Sequence, residues 1–271
     1  MAGSAIDAFT QRLATAPAVL VCVELTQGSA PREAGAWMAV FADALVGSIG
    51  GGHLEFDAIA IARRALTGEA IVPLRRFALG PSLGQCCGGV VQLRFEALQA
   101  ADADAVHARL QAAADRRRMP IALFGGGHVG HAIVRALEPL PVRVHWVDSR
   151  EEVFPADLSR SIVTEHSAPV QAAVADLAPQ SRVLIMSFSH AEDLDIVAAC
   201  LQRQRERADL PFVGLIGSKT KWASFRHRLE ARGFAAAELA HVTCPIGVAG
   251  VVGKEPEVIA AAVAAQLMQL R

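Results

Sequence analysis

Neither sign of charge dominates this chain: its 271 residues carry 26 lysines and arginines against 27 aspartates and glutamates, a formal net charge of -1. Such a balance gives no general electrostatic reason to bind nucleic acid or an anionic membrane, and it points to small molecules or proteins as partners. Long apolar runs are also missing, since none approaches the ~18 residues that would span a bilayer. Residues 1–20 lack the basic start and small-residue cleavage site of a secretory leader. Cysteine is sparse, and five copies, an odd number without a regular framework, fit reduced thiols in a cytosolic protein better than structural disulfides. Repeats and low-complexity stretches are absent as well. What is plentiful is apolar surface: hydrophobic residues make up 52% and charged residues 20%. That much apolar surface has to be buried to offset ordering entropy, which excludes a disordered or fibrous chain. The length suits two domains of roughly 150 residues.

The first part of the chain reads as a mixed α+β domain. Residues 18–26 form a predicted strand, followed by the turn-rich Gln27-Gly28-Ser29-Ala30-Pro31-Arg32. Residues 36–41 and 45–49 pair as an expected hairpin. After Gly50-Gly51-Gly52, the apolar positions Leu54, Ile59, Ile61, Ala62 and Leu66 follow a helical repeat that ends near Gly68. Strands are expected at 71–79 and 90–95, flanking a loop that holds Cys86 and Cys87. A helix over 100–114 is broken at 115–120, so the boundary divides the chain into 1–115 and 116–271. Beyond it, strands at 121–124, 142–147, 183–186 and 212–216 alternate with helices at 129–137, near Gln171, at 192–203 and at 219–231. Alternation of this kind predicts a doubly wound parallel sheet, an α/β domain with helices on both faces. A final helix over 255–270 fits either domain.

Gly125-Gly126-Gly127-His128-Val129-Gly130 follows one predicted strand and opens a helix, which is the context a G-x-G-x-x-G turn requires in a Rossmann-like domain. The glycines allow a tight turn and close backbone approach, and the helix start would face a phosphate. The blander reading is a tight turn with no ligand. Asp148 ends the next strand, where a Rossmann acid accepts ribose hydroxyls. No separate dehydrogenase set of base and carbonyl-polarising arginine accompanies it. A carboxylate there would equally accept the adjacent N–H donors of a pterin edge, with the turn serving that ligand's phosphate.

Ser187-Phe188-Ser189-His190 precedes a helix carrying Glu192, Asp193 and Asp195, and Gly217-Ser218-Lys219-Thr220-Lys221 also turns into a helix. Both lie at strand ends, where open α/β sheets bind ligands. His190 is open to a capping role or a functional one, and Lys219 to anion binding or plain solvation. Cys86 and Cys87 match neither a CxxC redox motif nor zinc spacing, which leaves a soft-metal or sulfur-handling thiolate against two small buried residues. Cys22 and Cys200 lie in apolar runs and read as core. His128 and His131 sit one helical turn apart without a third partner for zinc.

Taken together, several stretches resemble the XdhC/CoxI family, the xanthine dehydrogenase accessory proteins. They are Gly28-Ser29-Ala30-Pro31-Arg32 through Gly35-Ala36-Trp37-Met38, Gly47-Ser48-Ile49-Gly50-Gly51-Gly52 with Glu55, Gln85-Cys86-Cys87-Gly88-Gly89, Gly125 to Gly130, Ser189-His190 with Asp193, Gly217-Ser218-Lys219 and Pro245-Ile246-Gly247. They run through both expected domains in the family's order. The resemblance implies a cytoplasmic carrier and maturation factor rather than an enzyme. Such a protein binds molybdenum cofactor (molybdopterin carrying molybdenum), supports exchange of an oxo for a sulfido ligand, and delivers the product to apo xanthine dehydrogenase. A separate cysteine desulfurase would supply the sulfur. Molybdenum cofactor biosynthesis proteins and a second copy in a homodimer are further candidate partners, whereas nucleic acid and membrane are not expected. Carried over residue by residue, cofactor binding falls on Gly125, Gly127, His128, Gly130, Asp148, His190 and Lys219, anion contact on Arg32, and molybdenum contact on Cys86 and Cys87. Family members often carry alanine where Gly126 stands and a basic residue where His131 stands; neither change alters the glycine spacing. The alternative is an NAD(P)-dependent oxidoreductase built on the same turn.

Overall fold

The structure is a computed structural model that describes residues 5–79 and 88–270. It divides into two compact units, Met1–Arg116 and Arg117–Arg271. The first is built on β1 (Ala18–Gln27), β2 (Trp37–Val40), β3 (Leu45–Gly47), β4 (Leu74–Ala78) and β5 (Val90–Leu98). These form an antiparallel sheet in the order β3-β2-β1-β5-β4. Successive side chains of a strand point to opposite faces, and β1 uses both. Val19, Val21 and Val23 pack under α2 (Gly52–Leu66) through Leu54, Ala58 and Ala62. Ala18 and Leu20 face the other way, against α1 (Ala5–Leu13) and α3 (Ala103–Arg117). The apolar stripe Ile6, Phe9, Leu13 makes α1 a surface helix with one buried side.

The second unit runs β6 (Met119–Phe124), α4 (His128–Leu137), β7 (Val142–Asp148), β8 (Ile162–His166), β9 (Arg182–Ile185), α5 (His190–Arg207), β10 (Phe212–Leu215), α6 (Lys219–Ala231), α7 (Ala236–Leu239), β11 (Val242–Thr243) and α8 (Pro256–Gln269). All six strands are parallel, in the order β11-β10-β9-β6-β7-β8. This is the doubly wound order, in which the chain leaves β6 for β7 on one side and later returns to β9 on the other. Ala122, Phe124, Val183, Ile185 and Val213 face α5 and α6. Ile121, Leu123, Val144, Trp146 and Leu184 face α4 and α8. The final helix thus belongs to the second unit, where Ala260, Val263 and Leu267 are buried against that face.

Three details depart from the sequence reading. The helix expected near Gln171 is a run of 3-10 turns, Val170–Asp176, which buries Val170, Ala173 and Val174 against the α5 face. The break expected at 115–120 is shorter, because α3 continues to Arg117 and β6 already contains Pro120. Proline is tolerated there because it sits at the strand's start, and pairing with β9 begins only at Ile121. Finally, α1, β8, α7 and β11 add elements that the sequence reading does not name. Among the described residues no helix is long and apolar enough to cross a membrane.

Candidate functional site

The glycine turn stands at the carboxyl end of β6, between β7 and β9, where the strand order reverses. Gly125 has φ +126, and a Cβ on it would collide with the Met186 carbonyl. A Cβ on Gly130 would strike the Gly125 carbonyl, and one on Gly126 would strike Val153. Gly125 and Gly130 are therefore required by backbone packing, whereas at Gly126 it is the Val153 side chain that would have to give way. Gly127 differs, since a Cβ there meets nothing within 4 Å. It is also the N-cap of α4, makes no side-chain cap, and is followed by no acid in the first turn. A helix start left in that state presents backbone N–H groups and the positive end of its dipole to an anion. His128 is exposed beside it, while His131 turns inward and meets Trp146 edge-on, 4.9 Å between ring centroids. Trp146 Nε1 donates to the Gly125 carbonyl at 2.9 Å, which helps fix the turn.

Asp148 is not the open acceptor that its place at a strand end suggested. It is 1% exposed. Its Oδ2 accepts from the Gly126 amide at 2.5 Å and from an Arg150 Nη at 3.0 Å, and its Oδ1 accepts from the Arg150 amide and Nε at 2.8 and 2.9 Å. Burial would raise its pKa, but the Arg150 guanidinium and the two amides outweigh that and hold the carboxyl below its usual range. Arg150 in turn lies over the exposed ring of Phe188, 4.6 Å from the centroid.

A second carboxylate sits close by. Glu192, in the first turn of α5, accepts from Ser149 Oγ at 2.7 Å through Oε1, while its Oε2 is shut off from solvent with no hydrogen-bond partner. Next to it, buried Asp193 accepts from the Ser187 amide and hydroxyl, both at 2.8 Å, and from Lys221 Nζ at 2.6 Å. Lys221 Nζ also donates to the Ile216 carbonyl. This pair ties the ends of β9 and β10 together. The cation that matters structurally is Lys221, whereas Lys219 is exposed on the first residue of α6. Ser189, not His190, caps α5 by accepting from the Glu192 amide. His190 is exposed and meets Phe225 edge-on, 6.3 Å between centroids. Ser149 and Arg150 escaped the sequence reading, and Phe188 and Glu192 entered it only as parts of a strand-end loop and the helix after it.

In the first unit Arg32 is exposed on the loop between β1 and β2. Gly28 and Gly89 pack against each other there, the Cβ of the first falling 3.3 Å from the Cα of the second. Cys86 and Cys87 lie outside the described residues. Burial pushes the Cys200 thiol up to about 12 and that of half-buried Cys22 up to about 11, so neither is a thiolate near neutral pH. Among the described residues no three of His, Cys, Asp and Glu converge on a metal position.

Comparison with known proteins decides the family. The XdhC Rossmann domain matches residues 121–267, and the XdhC and CoxI family model matches residues 12–78. The chain belongs to the XdhC/CoxI family. Among curated relatives, the uncharacterised protein YqeB of Escherichia coli (strain K12) is 27% identical over 253 residues. That alignment takes in 91% of this chain but 42% of YqeB, so the chain spans less than half of that relative. A crystal structure described as a xanthine dehydrogenase from Bacillus halodurans shares the fold, with a TM-score of 0.70 at 19% identity over 99% of this chain and 96% of that one. The two XdhC/CoxI segments contain Arg32 and every candidate from Gly125 to Lys219, whereas Cys86 and Cys87 fall between them.

Proposed function

We propose that this chain is a xanthine dehydrogenase maturation factor that binds molybdenum cofactor at the carboxyl end of β6, supports its sulfuration, and passes it to apo xanthine dehydrogenase. Beyond membership of the XdhC/CoxI family, the reading rests on one juxtaposition. An uncapped helix start that suits a phosphate lies at the same sheet end as a buried carboxylate oxygen without a donor. The residues present fit the group on chemical grounds: α4 would hold the phosphate, a carboxylate would take ring N–H donors, and Phe188 with Arg150 would flank a planar ring. When bound, the group supplies the molybdenum, carried on its own sulfur atoms, at which oxo and sulfido ligands exchange. The chain's share is to hold and present it, a carrier's task without turnover, in the cytoplasm. A cysteine desulfurase would supply the sulfur. Cofactor biosynthesis proteins and a second copy of the chain remain proposed partners, and Arg32, Cys86 and Cys87 proposed contacts.

The nicotinamide alternative finds less support at the same site. Both Asp148 oxygens already hold protein donors, so the acid that would accept ribose hydroxyls is engaged within the protein. The test is to purify the protein from cells that make molybdenum cofactor, identify the bound small molecule by mass spectrometry and fluorescence, and titrate the apo form. Stoichiometric molybdopterin binding with only weak NAD binding is expected. Tight NAD binding with substrate-dependent hydride transfer would overturn the carrier reading.

A further inference from the structure

Two contacts tie the loop after β7 to the start of α5: Ser149 Oγ donating to Glu192 Oε1, and Arg150 over Phe188. Because β7 and β9 flank β6 in the sheet, both contacts pass across the end that carries the glycine turn. Within this bridge one group is unbalanced. Ser189-x-x-Glu192 is a capping-box sequence, in which the glutamate would fold back onto the Ser189 amide. Only half of the box forms: Ser189 Oγ accepts from the Glu192 amide, but the Glu192 carboxylate has left its own helix for Ser149. Its Oε2 is then buried with no donor, an arrangement proteins rarely leave unanswered. Lys221 Nζ is committed to Asp193 and the Ile216 carbonyl, while Arg150 gives Nε and one Nη to Asp148 and attracts Glu192 only through space, with no hydrogen bond to Oε2.

We infer that Glu192 is a ligand-binding residue, whose carboxylate turns out of its closed position and accepts an N–H from the exocyclic amino group of a pterin-class ligand beside the Phe188–Arg150 stack. This inference rests on the carrier reading. It moves the edge-reading role from Asp148, whose oxygens are both taken, to the carboxylate that has one to spare. Phe188 is 68% exposed, so aromatic surface remains available in the same bridge. A planar ring there combines stacking with a charge-assisted hydrogen bond.

The test is a set of equilibrium titrations with molybdopterin, with 6-hydroxymethylpterin phosphate and with its 2-oxo counterpart, which lacks the exocyclic amino donor. Wild type should prefer the amino compound. Glu192→Gln, which removes the charge and one of the two acceptor oxygens, should weaken amino-compound and molybdopterin binding about tenfold or more and abolish the preference. Glu192→Ala should weaken both similarly, and both variants should melt close to wild type. If wild type binds pterin and the variants keep affinity and preference, Glu192 does not touch the ligand and the carrier reading stands without it. If wild type binds none of the three ligands, the carrier reading falls and this inference with it.

Discussion

Two turns in this protein begin with nearly the same residues. Gly50-Gly51-Gly52-His53-Leu54-Glu55 enters α2, and Gly125-Gly126-Gly127-His128-Val129-Gly130 enters α4. The decisive difference is the sixth residue. Glu55 Oε2 curls back and accepts from Ser48 Oγ at 2.6 Å and from the Ile49 and Gly51 amides, both at 3.0 Å. The first turn therefore carries its own anion. In the second turn Gly130 fits under the Gly125 carbonyl, no acid follows in the first turn of the helix, and the nearby Asp148 carboxylate binds the Gly126 amide instead. Three glycines before a helix do not in themselves make a phosphate site. What matters is whether the chain has already supplied the negative charge.

The comparison can be broken most sharply at Gly125. Gly125→Ala combines a positive φ with a collision against the Met186 carbonyl, and it should cost at least about 4 kcal/mol in urea unfolding. Tolerance of that change would mean that the second turn is not held as described. Next in size is Lys221→Met, which leaves Asp193 buried without its cation and should cost about 3 kcal/mol. Lys219→Met, on an exposed residue, should stay within about 0.5 kcal/mol; equal effects would remove the distinction between the two lysines.

Asp148→Asn should lower stability by about 2 kcal/mol, because the Arg150 fork and the Gly126 amide lose a charged acceptor. A variant as stable as wild type would restore Asp148 as an open ligand contact. Glu55→Gln should cost about 1–2 kcal/mol at neutral pH. Its pH dependence has a definite sign. Burial raises the Glu55 pKa, but the Ser48 hydroxyl and the Gly51 and Ile49 amides outweigh it and hold it below 4.5. Its contribution is therefore complete above 4.5 and lost as pH falls through the lower folded-state value. The gap between wild type and Glu55→Gln should close in acid, as followed by thermal melts from neutral pH downward. A gap independent of pH would show that the carboxylate charge is not what closes the first turn. The smallest effect belongs to Gly127→Ala, with open space around its Cβ and a stability change within about 0.5 kcal/mol.

Local pattern was enough to read the strand and helix sequence of β6, α4, β7, β10 and α6, because each buries an apolar stripe or run with a turn signal at its end. The same holds for the β2–β3 hairpin and for α2. The pattern failed at β8, Ile162–His166, whose burial is confined to its first residue and one partly covered position because it is a sheet edge. It failed again at Val170–Asp176, where an apolar spacing close to a helical repeat folded as tighter turns. Periodicity reports which residues are buried but does not fix the hydrogen-bonding partner of each amide.

By itself the sequence determined the mixed α+β character of the first part, the positions of the glycine turns, the doubly wound class of the second unit and the family resemblance. All of these follow from residue types at short spacing. Only the tertiary structure decided which charges were spent. Asp148 and Arg150 neutralise each other two residues apart. Lys221 is drawn 28 positions back to Asp193, and Ser149 reaches 43 positions forward to Glu192. The physical reason is that a carboxylate's availability depends on the donors that surround it in space, and in a parallel sheet those donors arrive from strand ends far apart in the chain.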